Sequence, residues 1–160
     1  MYIDFITTPL GTLEIKASHV GVSSVIFSAL THDAQPCVPS KITDNCKQQL
    51  GEYFLGQRNK FDLPLDQQGT NFQKSVWACL LKVPFGQAAS YQDIATMLEN
   101  PKAVRAVGAA NGKNPISIIV PCHRIIGSNA RLTGYAGGLE RKTWLLEHEG
   151  INFKREADHT

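Results

Sequence analysis

A polar segment, Asp66–Gly69, separates two parts of this chain that have different hydrophobic patterns. In the first part, apolar residues alternate with polar ones over residues 13–17, which is typical of a half-buried strand, and a helical pattern follows over 42–54. After the segment, apolar residues recur every three or four positions over residues 72–83, which is typical of one face of a helix. The polar segment is therefore the predicted boundary between two domains, residues 1–66 and 67–160.

The first domain is predicted to be a small sheet-plus-helix unit. Strands are expected over residues 2–7, 13–17 and 22–27, and apolar residues at helical spacing predict one helix over 42–54. No pattern with recognisable chemistry occurs in this part of the sequence, so we expect it to serve as a scaffold.

The second domain is predicted to be mostly helical. Thr70 and Gln73 have the spacing of a capping box, and the helix that they begin is expected to end before Pro84. The other predicted elements are short helices over 91–98 and 101–111, a buried strand over 116–120 and a last helix over 139–149. The expected fold class is therefore α+β, or α/β in the first domain, with a helical second domain that contains a helix-turn-helix.

Composition supports a packed protein, and the distribution of charge weakly favours an anionic partner for the second domain. The chain is 42% apolar and 19% charged, and no apolar run approaches the ~20 residues that cross a bilayer. Residues 1–66 carry a net charge of −2 and residues 67–160 a net charge of +4, although an ordinary solvated surface explains this difference equally well. The first residues lack the features of a secretory signal, so a cytoplasmic location is expected.

The cysteines are expected to be reduced thiols. The chain has four: Cys37, Cys46, Cys79 and Cys122. No two of them form a Cys-x-x-Cys pair, and the histidines are scattered along the sequence, so the pattern of a structural zinc site is missing. We therefore predict no metal and no cofactor.

The helix pair at 91–98 and 101–111 is a candidate helix-turn-helix, although many helix pairs have the same pattern. The second helix is unusually bare, because its residues include Ala103, Ala106 and Gly108. A helix with small side chains can approach a narrow groove closely and contact phosphates through its backbone. Arg105 is its one long candidate side chain, and the alternative is an ordinary solvated cation.

A second candidate site is the run from Ile118 to Arg124, in which Cys122 follows an apolar stretch and a proline. A thiol is a weak nucleophile until it ionises, and the adjacent His123 together with a nearby cation would favour the thiolate. The alternative is a buried, inert cysteine, which is the commoner fate of a free thiol.

The tetrapeptide Pro121-Cys122-His123-Arg124 resembles the active-site motif of the O6-alkylguanine-DNA alkyltransferases. Its flanks resemble the family in the same order, and the resemblance covers about residues 70–152. The flanking matches are Val76-Trp77, Pro84-x-Gly86, Ser90-Tyr91, Arg105, Gly108, Asn114-Pro115, Tyr135-x-Gly137-Gly138, Lys142 and Leu145-Leu146-x-His148-Glu149-Gly150. Residues 1–66 resemble the family's variable N-terminal domain only loosely, which implies a ribonuclease H-like first domain.

The resemblance implies that the chain binds double-stranded DNA in the minor groove with little sequence specificity and flips an alkylated guanine out of the stack. Arg105 would fill the vacated space, and Tyr91 would turn the nucleotide outward and give a proton to the departing base. The residues implied to contact DNA are Arg105, Ala103, Ala106, Gly108 and Arg124.

The resemblance also assigns the chemistry. Cys122 would accept the alkyl group in a single turnover, His123 would take the thiol proton through a water, and Glu149 would orient His123 and raise its pKa. Asn114 would brace the active-site turn. The base pocket would be formed by Tyr135, Ala136, Gly137, Gly138 and Lys142, with Lys142 as a candidate for polarising the tyrosine.

The expected protein is thus a monomeric DNA-repair methyltransferase, with no membrane partner. Two alternatives remain open at this point. One is a sensor that binds alkylated DNA without transfer, and the other is a Cys-His hydrolase that turns over.

Overall fold

The computed structural model describes residues 1–28 and 36–154, which form two compact units. The first unit contains Met1–Gln68 together with Pro115–Ile119, and the second contains Gly69–Asn114 and the chain from Val120 onward. The boundary predicted between residues 66 and 67 lies two residues from the end of the first segment. Nothing in the hydrophobic pattern indicates that residues 115–119 belong with the first unit.

The first unit is built on a three-stranded antiparallel sheet in the order β1-β2-β3. Its strands are β1 (Tyr2–Thr8), β2 (Gly11–Ala17) and β3 (Val22–Phe27), close to the predicted ranges. The alternating apolar residues of β2 are fully buried, as the period of two requires. Helix α1 (Lys41–Phe54) packs against this sheet and begins at a capping box between Ser40 and Thr43.

The edge of β3 is covered by short backbone bridges rather than by a fourth strand. The Val25 N–H donates to the Pro115 carbonyl, and the Ser117 N–H donates to the Val25 carbonyl, both at 2.9 Å. Beyond this single bridge the chain turns, and Ile118 has a φ of +72°. The predicted strand over 116–120 is therefore wrong, because an apolar run reports burial and does not by itself specify an extended backbone.

The second unit contains α2 (Asn71–Leu80), α3 (Tyr91–Met97), α4 (Val104–Gly112), a single 3₁₀ turn at Cys122–Arg124 and α5 (Leu139–His148). Capping boxes start α2 and α3, at Thr70 and Ser90. The predicted helix over 101–111 is observed as α4, but it begins three residues late. Residues 101 and 102 form a turn instead, which is closed by a hydrogen bond from the Ala103 N–H to the Asn100 carbonyl at 3.0 Å.

Trp77 ties the last helix of the helix-turn-helix to α2. Its ring is 1% exposed, and its indole Nε1–H donates to the carbonyl of Ala110 on α4 at 2.8 Å. This contact sets the position of the α3–α4 pair within the second unit. Within the described parts of the chain, no helix combines the length and the apolar character needed to cross a bilayer.

We predict that Trp77→Phe destabilises the protein by about 2 kcal/mol, because it removes a buried hydrogen bond and leaves a cavity. Urea unfolding measures this loss. Trp144→Phe is the matched control, since Trp144 is only half-buried, and it should cost less than about 1 kcal/mol. Equal losses in the two variants would contradict the proposed role of Trp77.

Candidate active site around Cys122

Cys122 is held by the backbone of a tight turn. Its N–H donates to the Val120 carbonyl at 2.8 Å, and the Arg124 N–H donates to the Pro121 carbonyl at 3.0 Å. The Asn114 side chain braces the same turn by donating from Nδ2 to the Val120 carbonyl at 2.9 Å. Cys122 is 5% exposed, so its thiol has little contact with solvent.

Burial raises the pKa of the Cys122 thiol. This effect outweighs a hydrogen bond from the Asn114 side chain, the charge of Lys142 and two backbone N–H groups, all of which lower the pKa. The thiol is therefore protonated at neutral pH, although the cation Lys142 favours the thiolate as the sequence predicts. A nucleophilic reaction of Cys122 requires a base that removes the proton in place.

His123 and Glu149 form a buried pair behind Cys122. The imidazole Nε2 lies 2.7 Å from Oε2 of Glu149, and both side chains are fully buried. Glu149 caps the C-terminus of α5. The predicted return of the last helix to His123 is thus present in the structure.

Arg124 completes this pair and does not reach the surface. Its Nε–H donates to Oε1 of Glu149 at 2.7 Å, and its Nη1–H donates to the Val83 carbonyl at 2.7 Å. Arg124 is 6% exposed, with its guanidinium carbon 5.9 Å from the centre of the Phe85 ring. The prediction that Arg124 contacts DNA is therefore wrong, because the guanidinium is buried and forms an ion pair with the carboxylate of Glu149.

The charges of this cluster leave His123 neutral. Burial raises the pKa of Glu149, but the hydrogen bonds from His123 and Arg124 and the charge of the guanidinium outweigh it and hold the pKa well below its ordinary value. Burial lowers the pKa of His123 and outweighs the hydrogen bond and charge of Glu149, which raise the pKa in the predicted direction. With His123 neutral, the guanidinium of Arg124 is the charge that keeps Glu149 ionised.

The tautomer of His123 follows from these contacts. An ionised carboxylate accepts a hydrogen bond, so the imidazole proton is on Nε2 and the lone pair is on Nδ1. Nδ1 is buried and has no hydrogen-bond partner among the described residues. His123 is therefore a neutral base whose accepting nitrogen is available.

A cavity of about 210 Å³ opens onto Cys122. This volume lies below the ~300 Å³ at which pockets for drug-sized ligands begin, and it suits a single base. The residues that line it are Tyr91, Gly108, Asn111, Gly112, Cys122, Gly134, Tyr135 and Ala136. Asn111, Gly112 and Gly134 were not predicted, since an amide and two glycines carry no distinctive sequence signal.

Three residues predicted for the pocket lie outside its lining and support it instead. The N–H of Gly138 donates to the Tyr135 carbonyl at 2.9 Å, and Gly138 has a φ of +95°, which favours glycine. The Gly137 carbonyl accepts a hydrogen bond from Arg141 at 3.2 Å. Together these contacts shape the loop that carries Tyr135 into α5.

Lys142 is the third of these residues, and its side chain is completely buried. Its ammonium donates to the carbonyl of Ile125 and, at 2.9 Å, to the hydroxyl of Thr133. Burial lowers the pKa of Lys142 to about 8, against the opposing effect of Cys122. These hydrogen bonds go to the segment that follows the active-site turn and not to a tyrosine, so polarisation of a tyrosine stays a prediction.

The sequence matches known proteins over both units. Residues 71–151 match the DNA-binding domain of 6-O-methylguanine DNA methyltransferase, and residues 1–67 match its ribonuclease-like domain. The chain belongs to the 6-O-methylguanine DNA methyltransferase family. This result confirms the resemblance inferred from the Pro-Cys-His-Arg motif and the predicted fold class.

Individual members of the family are similar to this chain over most of its length. The methylated-DNA–protein-cysteine methyltransferase of Methanosarcina mazei is 43% identical over 160 residues, which cover 96% of this chain and 100% of that protein. The constitutive enzyme of the same name from Bacillus subtilis is 55% identical over 111 residues, 69% of this chain and 67% of that protein.

Solved structures of the family share the fold. A crystal structure of Mycobacterium tuberculosis OGT in complex with DNA has a TM-score of 0.85 at 41% identity, covering 94% of this chain and 93% of that one. The Mycobacterium tuberculosis O6-methylguanine methyltransferase has a TM-score of 0.83 at 40% identity, covering 93% and 92%.

In this methyltransferase the exposed positions of α4 in the helix-turn-helix carry small side chains, apart from Arg105. Arg105 and Ala106 are exposed on α4, and Ala103 precedes the helix half-buried. Gly108 faces the ring of Tyr91, where an added Cβ would lie 3.8 Å from the tyrosine Cε1. Within the described residues, no group of three or more His, Cys, Asp or Glu side chains is arranged to hold a metal ion.

The buried cluster predicts that acid destabilises this methyltransferase. The folded-state pKa values of His123 and Glu149 are both below their ordinary values of 6.5 and 4.5. Their stabilising contributions are therefore complete above pH 6.5. The His123 contribution is lost as the pH falls below 6.5, and the Glu149 contribution as it falls from 4.5 toward about 2.

Chemical denaturation between pH 7 and 5 should give a slope of up to about 1.4 kcal/mol per pH unit from His123. His123→Gln retains a donor for Glu149 but cannot titrate, so the slope in this window should decrease. His148→Gln, at a half-buried histidine on α5, is the matched control and should retain the slope. An unchanged slope in His123→Gln would show that another group is responsible.

Proposed function

We propose that this chain repairs O6-alkylguanine in DNA by moving the alkyl group irreversibly onto Sγ of Cys122, once per molecule. The observation that carries the proposal is the cavity of about 210 Å³ that has Cys122 in its wall, with a neutral, buried His123 next to it in the chain. Family membership supplies the reaction class, a methylated-DNA–protein-cysteine methyltransferase.

The reaction begins with proton removal. Because the Cys122 thiol is protonated, His123 takes its proton at Nδ1 through a bridging water, and the imidazolium that forms is stabilised by Glu149. The thiolate attacks the alkyl carbon in line with the guanine oxygen. The S–C bond forms while the C–O bond breaks, and the bonding pair stays with the guanine.

The departing guanine anion is neutralised by a proton from the hydroxyl of Tyr91, which lines the same cavity. The product on the protein is a thioether, which is chemically stable. No group in the mechanism removes the alkyl from sulfur, so one molecule performs one transfer.

DNA engagement is assigned to the second unit. A relative, Mycobacterium tuberculosis OGT, has been solved in complex with DNA. The bare face of α4 suits the ~6 Å width of the minor groove, where backbone contacts give little sequence specificity. Arg105 is exposed on this face and would occupy the stack that the flipped nucleotide leaves.

The alternative of a sensor that binds lesions without transfer is not favoured, because Cys122 is present and lines the cavity. The expectation of a cytoplasmic monomer stays a prediction.

The proposal predicts a stoichiometric product. After incubation with excess duplex that contains O6-methylguanine, intact-mass analysis should show one methyl group per protein, located on Cys122. Cys122→Ser should gain none, since a hydroxyl is a far weaker nucleophile. Continued linear turnover, or a methyl group on another residue, would contradict single-turnover transfer to Cys122.

The proton relay predicts that Glu149→Gln slows single-turnover transfer by about 10²- to 10⁴-fold, because the amide no longer fixes the Nε2–H tautomer of His123. This variant also leaves Arg124 buried without its counter-charge, so we expect a loss of stability of about 3–5 kcal/mol.

Arg124→Lys separates the two effects. It keeps a positive charge beside Glu149, so the carboxylate stays ionised and still fixes the tautomer of His123, but it loses the paired guanidinium donors to Glu149 and Val83. At pH 8, where His123 is neutral in either case, Arg124→Lys should transfer at close to the wild-type rate despite a loss of stability. If both variants are equally slow, the defect of Glu149→Gln reflects stability and the relay is wrong.

A further inference from the structure

Asn111 is a polar group in the wall of the Cys122 cavity that the proposed mechanism does not use. It lies in the last turn of α4 and is 5% exposed. Its Oδ1 is buried and has no hydrogen-bond partner among residues 1–28 and 36–154. By contrast, the nearby Asn114 side chain donates to the Val120 carbonyl at 2.9 Å.

An acceptor that is buried without a partner lowers the stability of a protein. For this reason, buried polar groups in native structures are nearly always hydrogen-bonded. Leucine has the same number and branching of side-chain heavy atoms as asparagine and would remove the unpaired acceptor at this position. A carboxamide in the wall of a ligand cavity is therefore best explained by a donor on the ligand.

The chemistry of the lesion limits that donor. In O6-alkylguanine the alkyl group fixes the ring with N1 unprotonated, so the exocyclic amine at C2 carries the only N–H bonds of the base within DNA. O4-alkylthymine has no N–H bond at all. O6-methylhypoxanthine differs from O6-methylguanine only by the absence of the amine.

We propose that Asn111 is a specificity-determining residue, whose Oδ1 accepts a hydrogen bond from the exocyclic amine of the flipped alkylguanine. The inference rests on the proposed function, because it assigns a partner within the same cavity. Among the described residues that line the cavity, Asn111 alone carries an amide side chain. A site built to bond a substrate N–H disfavours analogues that lack it, because its own acceptor is then left unpaired.

The test measures single-turnover transfer from three duplexes that differ only in the lesion: O6-methylguanine, O6-methylhypoxanthine and O4-methylthymine. The wild type should react with O6-methylguanine about tenfold or more faster than with O6-methylhypoxanthine. Asn111→Leu should slow the guanine reaction and leave the hypoxanthine reaction nearly unchanged, so that the ratio of the two rates falls toward one. O4-methylthymine should follow the hypoxanthine lesion.

Lys113→Ala is the matched control. It changes an exposed residue at the C-cap of α4, two positions from Asn111 and outside the cavity lining. Its guanine-to-hypoxanthine ratio should equal that of the wild type. Asn111→Leu should also be at least as stable as the wild type in urea, because it removes an unpaired buried acceptor.

The outcomes separate this inference from the proposed function. A wild type that gains no methyl on Cys122 from any duplex would overturn the function itself. A wild type that transfers from O6-methylguanine and O6-methylhypoxanthine at equal rates would overturn the role of Asn111 alone. So would an unchanged ratio in Asn111→Leu.

Discussion

The carboxylate of Glu149 is the interaction on which the active site depends. One oxygen meets Nε2 of His123 at 2.7 Å, and the other meets Nε of Arg124 at the same distance. An ionised carboxylate that is buried without partners costs several kcal/mol, so these contacts are a condition for burying it at all. Through them the C-terminus of α5 is joined to the turn that carries Cys122.

Arg124 extends this arrangement to a third part of the second unit. Its Nη1–H donates to the Val83 carbonyl in the loop after α2, so a single guanidinium joins that loop to Glu149. Arginine suits this position because its planar group stays charged and offers several donors in fixed directions. The geometry of His123 therefore depends on two contacts of Arg124. One is with Glu149, 25 residues away in the chain, and the other is with Val83, 41 residues away.

Burial gives the site its protonation states. It keeps the Cys122 thiol protonated and His123 neutral, so the free protein holds a nucleophile and a base that have not yet exchanged a proton. In the proposed mechanism, the thiolate then forms only as the reaction proceeds. The same burial makes each partner necessary, because a desolvated charge without its counter-charge is costly.

Sequence alone determined the local elements and the reacting residue of this protein. The strands, the capping boxes at Thr70 and Ser90 and the Pro-Cys-His-Arg motif depend on neighbours within a few positions, and such patterns are readable directly. The predicted start of α4 is three residues early because Pro101 lies in a turn, and the predicted strand over 116–120 is wrong because burial does not specify an extended backbone. Only the tertiary structure decided that Arg124 is buried against Glu149, that Lys142 bonds Ile125 and Thr133, and that Asn111 lines the cavity. The physical reason is that the partners of a buried polar group are set by packing between distant segments, which no local pattern encodes.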